Sequence, residues 1–171
     1  MYRVAISGDF LKKDGSLRFP DVDLSPLKNE KNLGWQIINN SNDIKPEELV
    51  GYDALILLGA RFVKTSAPSD GRLSIIARFG VGYDSVDLDA CNDNSIALVI
   101  TPDGIRRPVA VSVLAFMLSL TGNMLIKDQL TRKGLWNKRT DHMGKGLVNK
   151  TLGFLGLGNI GAEVVRLALP L

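Results

Sequence analysis

The stretch Thr151-Leu152-Gly153-Phe154-Leu155-Gly156-Leu157-Gly158-Asn159-Ile160-Gly161-Ala162-Glu163-Val164-Val165 decides how this chain is read. An apolar run, Thr151–Leu155, leads into the spacing G-x-G-x-x-G and then into a helical pattern from about Asn159. Strand, glycine turn and helix in that order form the context in which such a loop binds a dinucleotide. Gly156 is expected to allow the tight turn out of the strand, and Gly158 to let the backbone approach a pyrophosphate. Gly161 is expected to let the helix pack close to the strand. The amides around Asn159 and Ile160 would meet phosphates at the positive end of the helix dipole. The alternative is a glycine turn with a structural role alone. The acidic residue that would hold the ribose hydroxyls falls roughly 20 residues further on. That is past Leu171, so NAD and NADP both stay open.

Upstream of this loop, short apolar strands alternate with helical or irregular stretches. Candidate strands are Arg3–Ser7, Trp35–Asn39, Ala54–Leu58, Ser74–Phe79 and Ala97–Thr101, each ending in residues that turn the chain. Pro46-Glu47-Glu48-Leu49 reads as a helix start, and so does Asp87-Leu88-Asp89-Ala90-Cys91, with Asp84 or Ser85 as its cap. Strands joined by crossovers imply a parallel sheet with helices on both faces. The fold class is therefore α/β: a flavodoxin-like parallel-sheet domain over residues 1–101, then the start of a Rossmann domain over 102–171. The boundary falls near 101–108. Pro108 is expected to open an apolar helix that runs to about Lys133 and ends at Gly134.

Composition narrows the class further. The chain has 171 residues, 45% hydrophobic and 23% charged, with a formal net charge of +3, which excludes a disordered or fibrous protein. One cysteine, Cys91, excludes a disulfide framework and a thiolate metal cage; no metal is expected, and Cys91 reads as a core thiol. The N-terminal run Met1–Asp9 reaches a turn too soon for a signal peptide. The run Val109–Ile126 approaches the length of a membrane span, but Ser112, Ser119, Thr121, Gly122 and Asn123 interrupt it. It reads as a buried or interface helix, no membrane partner is expected, and the cytoplasm is the expected location. Between Lys127 and Lys150, seven basic residues face two acidic ones. A solvated helix end and loop explains them, or a nearby phosphate-bearing ligand. Nucleic acid is not expected, for want of aromatic interleaving.

A second glycine turn, Arg78-Phe79-Gly80-Val81-Gly82-Tyr83-Asp84, closes the fourth candidate strand. Its amides at Gly80, Val81 and Gly82 would form a small anion-binding concavity beyond the carboxyl end of the sheet, where open α/β sheets bind ligands. The other reading is a tight strand-to-helix turn.

Taken together, these segments resemble the D-isomer-specific 2-hydroxyacid dehydrogenases. The resemblance rests on Arg78–Asp84, Thr101-Pro102-Asp103-Gly104, Val109-Ala110 before a long apolar helix, Arg132 and Gly134 with Trp136, and Gly153 through Gly161, in that order. It implies a substrate domain followed by an NAD-binding domain, and hydride transfer between nicotinamide and a small 2-hydroxy or 2-keto acid. Gly80, Val81 and Gly82 would offer amides to the substrate carboxylate. Gly156, Gly158, Asn159, Ile160 and Gly161 would hold the pyrophosphate. The helix Val109–Ile126 would lie in a homodimer interface.

The chain also departs from the family pattern. Val111 stands where Glu is common, and Arg106-Arg107-Pro108 replaces small polar residues. Arg106 and Arg107 are candidate contacts for a substrate or phosphate, or else solvent-facing arginines. The family's catalytic Arg, Glu and His lie well after the glycine loop, so no catalytic residue is expected within 1–171. The single histidine, His142, precedes that loop and matches none of them. The expectation is an N-terminal portion, inactive alone, of an enzyme of roughly 300 residues or more. A non-catalytic NAD-binding module is the alternative. A receiver-type signalling domain is set aside because Leu57-Leu58-Gly59-Ala60 carries no phosphoacceptor aspartate.

Overall fold

The computed structural model describes residues 1–39 and 41–171. Two compact units divide the chain, Met1–Pro102 and Asp103–Leu171. The first is built on five parallel strands: β1 (Tyr2–Ile6), β2 (Leu33–Ile37), β3 (Ala54–Leu57), β4 (Ile75–Arg78) and β5 (Ala97–Ile100). Their order is β2-β1-β3-β4-β5, the flavodoxin-like order. Each expected strand is found within two residues of its expected ends.

Register explains the core. Ala5, Leu55, Ile76 and Leu98 are paired in one row across β1, β3, β4 and β5, so their side chains share one face of the sheet. That face packs with Leu57, with Leu49 from α2 (Pro46–Leu49), with Ala90 and Cys91 from α3 (Leu88–Asp93), and with Phe62, Val86 and Ile96. The opposite face buries Val4, Ile6, Ala54 and Phe10, and a short helix, α1 (Ser25–Asn29), precedes β2. Cys91 is a buried free thiol whose pKa burial pushes up, with the Asp87 charge adding to the rise. The cap of α3 differs from expectation. Asp87 accepts the Ala90 N–H at 3.0 Å, whereas neither Asp84 nor Ser85 caps the helix. A cap side chain accepts an amide two or three residues on, and for a helix that starts at Leu88 only Asp87 has that spacing.

The start of β1 is tied down by one carboxylate. Asp53 accepts the Arg3 N–H at 2.6 Å and Arg72 Nε at 2.7 Å, and these bonds lower its pKa, the Arg72 bond most. Arg72 also donates to the Met1 carbonyl at 3.2 Å.

The second unit departs from expectation in two places. Its long helix, α4 (Pro102–Thr121), opens at Pro102 and carries Pro108 inside it. Proline fits the first turn because that N–H has no helical partner, and Pro102 satisfies this before Pro108 is reached. The helix also stops short of Lys133. Gly122 follows, Asn123 takes a left-handed conformation (φ 52°), and a separate helix, α5 (Met124–Arg132), begins. The expected sixth strand, Thr151–Leu155, is not formed, and Leu155 is fully exposed. A strand needs a neighbour for its backbone hydrogen bonds, and no described residue pairs with it.

Nor is α4 a buried helix within this chain. Only Ala110 is buried, while Phe116, Leu118 and Leu120 are exposed. By length and composition α4 could cross a membrane. The last helix, α6 (Asn159–Ala168), begins where expected.

Candidate functional site

The first site is the loop after β4. Arg78 closes the strand, opposite Leu57 in register, and the Phe79 N–H donates to the Leu57 carbonyl at 2.8 Å. Phe79 stacks edge-on against Phe10 at 5.4 Å, which pins the loop to the end of β1. Gly80 has φ +144°, a conformation that side chains rarely adopt. A Cβ there would also collide with Arg78 Nη1.

The amide of Gly80 is not free. It donates to Thr101 Oγ1 at 2.8 Å and to the Arg78 carbonyl at 2.9 Å, while the Gly80 carbonyl accepts the Thr101 N–H at 2.9 Å. The expectation of an accessible amide at Gly80 is thereby corrected. Val81 and Gly82 donate to no group among the described residues, and Gly82 is exposed. Gly80 is thus a glycine for reasons of backbone shape, and its N–H is consumed in holding that shape.

Sequence reasoning passed over Arg78 as a functional residue. Its Nη1 donates to the Phe79 carbonyl, while its Nε is buried without a partner. A permanently charged guanidinium beside two unpartnered amides makes this loop electropositive. The F-G-V-G pattern drew attention to the glycines; a charged residue closing a buried strand was the signal available.

The second site is the glycine loop. Gly156 takes φ +85°, so the turn itself demands glycine there. A Cβ on Gly161 would lie 3.1 Å from the Gly156 carbonyl oxygen. Gly161 therefore lets α6 pack against the loop's own first glycine, a correction to the expected packing against a strand. Gly158 has open space where its Cβ would be, and it caps α6 without any side-chain hydrogen bond. The first amides of α6, at Asn159, Ile160 and Gly161, donate to no described group. Unclaimed amides at a helix start, reached over a glycine with no Cβ, fit a pyrophosphate and therefore fit NAD.

The two candidate arginines part company. Arg107 Nη1 donates to Glu163 Oε1 at 2.7 Å, so its charge is matched inside the protein and the expected substrate contact is not supported. Arg106 is exposed. Glu163 is nearly buried and also receives Arg166, through Nη2 at 2.7 Å and Nε at 3.1 Å. The Arg166 bonds, then the Arg107 bond, lower its pKa from an ordinary 4.5 to about 2.

A carboxylate held down in this way stabilises the folded state fully above its unfolded value. That contribution is lost as pH falls from about 4.5 toward about 2. Thermal melts of the chain and of Glu163→Gln are therefore expected to differ at pH 7 and to converge as the pH approaches the lower value. A constant difference across the range would remove the charge from this account. The Arg166 pair is local, at i,i+3, but no local pattern flags the bond to Arg107, which lies far away in sequence.

His142 ends a 3-10 segment and is half-buried, away from both loops in sequence. In the basic stretch, Arg132 pairs with Asp128 at 2.9 Å and Arg139 lies over the Trp136 ring at 5.0 Å.

With this geometry in place, comparison with known proteins is direct. Residues 18–121 match the family model described as D-isomer specific 2-hydroxyacid dehydrogenase, catalytic domain, and residues 114–171 match that family's NAD binding domain. D-3-phosphoglycerate dehydrogenase 2 of Arabidopsis thaliana is 33% identical over 77% of this chain and 22% of its own length. D-3-phosphoglycerate dehydrogenase of Bacillus subtilis is 30% identical over 98% of this chain and 30% of its own. The crystal structure of NAD-dependent formate dehydrogenase from Staphylococcus aureus in complex with NAD superposes with a TM-score of 0.77. At 22% identity, over 99% of this chain and 54% of that one, it speaks for the fold. The chain thus spans about a fifth to a third of the length of these two relatives. It belongs to the D-isomer-specific 2-hydroxyacid dehydrogenase family, and its second matched segment is part of that family's NAD-binding domain.

Proposed function

We propose that this chain is the substrate-gripping and pyrophosphate-binding part of an oxidoreductase. That enzyme exchanges a hydride between NAD and a small 2-hydroxy or 2-keto acid. The observation that carries the reading is the pair of unpartnered amides at Val81 and Gly82, at the carboxyl end of β4 and next to Arg78. Two successive N–H donors suit the two oxygens of a carboxylate, and Arg78 adds a cationic contact for the same group or a second anionic one. Gly158 and the first amides of α6 hold the pyrophosphate, and NAD, when bound, supplies the hydride acceptor. The proton-transferring and polarising groups belong to the longer protein, so residues 1–171 bind without turning over.

The experiment mixes NADH with glyoxylate, hydroxypyruvate and longer 2-keto acids, and follows absorbance of the reduced nicotinamide. Oxidation by the longer protein, with binding alone by residues 1–171, is the expected result. Binding of NADH by the longer protein without oxidation of any 2-keto acid would instead favour a non-catalytic NAD-binding module.

The exposed apolar residues of α4 and α5, Phe116, Leu120 and Leu125 among them, support a homodimer through these helices. An area of this kind left facing water usually marks an interface. Sedimentation is expected to give a dimer that Phe116→Glu dissociates.

A further inference from the structure

We infer that the hydroxyl of Thr101 is a positioning residue for the substrate carboxylate, through its grip on Gly80. This rests on the reading of Val81 and Gly82 as the carboxylate's partners. The peptide that joins Gly80 to Val81 sets where the next amide points. In a trans peptide the C=O and the following N–H point in opposite directions. The Gly80 carbonyl is turned toward the Thr101 N–H, 2.9 Å away. The Val81 N–H must then point the other way, away from β5 and toward the β3 side of β4. Thr101 follows β5 directly, so the donor that sets this direction is anchored to the sheet.

The backbone bond alone does not fix Gly80, because glycine can rotate about both its torsions. The Thr101 side chain supplies the second restraint. Its Oγ1 accepts the Gly80 N–H at 2.8 Å and lies 3.4 Å from the Gly80 carbonyl oxygen. Both backbone groups of Gly80 are thereby held by one residue, in the φ +144° conformation. Thr101 is itself stiff. It precedes Pro102, which keeps its backbone extended, and its β-branched side chain has few rotamers. A restraint made by an already ordered side chain costs little further entropy.

Other features of the molecule do not substitute for this grip. Arg78 leans on the Phe79 carbonyl and on the space above Gly80, but it makes no bond to Val81 or Gly82. The Gly80 N–H shares itself with the Arg78 carbonyl, which keeps the turn closed but leaves the plane of the next peptide free to swing. Removing only the hydroxyl should therefore preserve the fold and misdirect the amides.

The test titrates 15N-labelled protein with glyoxylate and reads the Val81 and Gly82 amide resonances, in the wild type, T101V and T101S. In the expected result both amides shift on titration of the wild type. T101V binds roughly tenfold more weakly, the loss expected when one aligned hydrogen bond is removed, and T101S restores the wild-type affinity. Faster hydrogen exchange at Gly80 in T101V accompanies the loss. If T101V proves unfolded, T101A carries the same comparison. Wild-type shifts at both amides with unchanged affinity in T101V and T101A would overturn the role of Thr101 and leave the carboxylate site standing. No shift at Val81 or Gly82 in the wild type would overturn the site itself, and the positioning role with it.

Discussion

Gly80→Ala is expected to weaken the carboxylate site strongly while leaving the sheet in place. Two penalties act at once. The φ of +144° is one that alanine adopts only under strain of roughly 1–3 kcal/mol. The new methyl also displaces the end of the flexible Arg78 side chain from the Phe79 carbonyl, the smaller of the two penalties. The chain can relieve both by rotating Gly80 out of that region, but rotation breaks its bonds to Thr101 and turns the Val81 N–H away. At about 1.4 kcal/mol for each tenfold, the loss of glyoxylate affinity should be ten- to a hundredfold. Far-UV circular dichroism should stay that of the parent. An alanine variant that binds glyoxylate normally would show that the loop adopts another shape when it works.

Phe62→Ala should produce the larger loss of stability. Phe62 is fully buried in the cluster formed by Leu49, Leu55, Leu57 and Val86. Emptying a site of that size costs about 3–5 kcal/mol, because the surrounding side chains only partly collapse into the gap. The consequences reach the site, since the backbone of Phe62 runs beside the loop. Its N–H donates to the Ser85 carbonyl at 2.9 Å, and its carbonyl accepts the Asp87 N–H at 2.8 Å. Denaturant unfolding should show a fall in midpoint with an unchanged slope. Amide exchange at Val86 and Asp87 should quicken before that of β1 and β3. A midpoint within experimental error of the parent would mean that the cluster repacks far better than a dense core should.

Much of this was legible from residues alone, and the failures have physical causes. The five strands could be found because each is a short apolar run stopped by turn residues, a local signal. Thr151–Leu155 has the same local signal and forms no strand, because pairing is a property of neighbours and periodicity says nothing about them. The start of α4 was placed at the second of two prolines. Either suits a first turn, and the choice depends on where the chain leaves β5. At Gly80 the pattern suggested a free amide, but whether an amide is free depends on Thr101, which arrives from another strand. Arg107 reads as a ligand contact in sequence because two adjacent cations are conspicuous. Its partner, Glu163, carries no mark in sequence. Binding glycines were legible where the backbone shape demands them, as at Gly156; partnerships across the fold were not.

The place of β1 in the sheet bears on how the chain reaches this structure. It is the first strand in the sequence, yet it lies inside the sheet, with β2 on one side and β3 on the other. Synthesis therefore delivers β1 before either of its neighbours and must reach Ile56 before its second edge can be closed. Until then Val4, Ala5 and Ile6 offer an open ladder to any extended segment nearby. Pairings over such separations order slowly, on the order of milliseconds or longer. The Asp53 carboxylate that fastens Arg3 comes just ahead of β3, so this clasp and the strand that closes the second edge of β1 reach the growing chain together, and Arg72 joins them later.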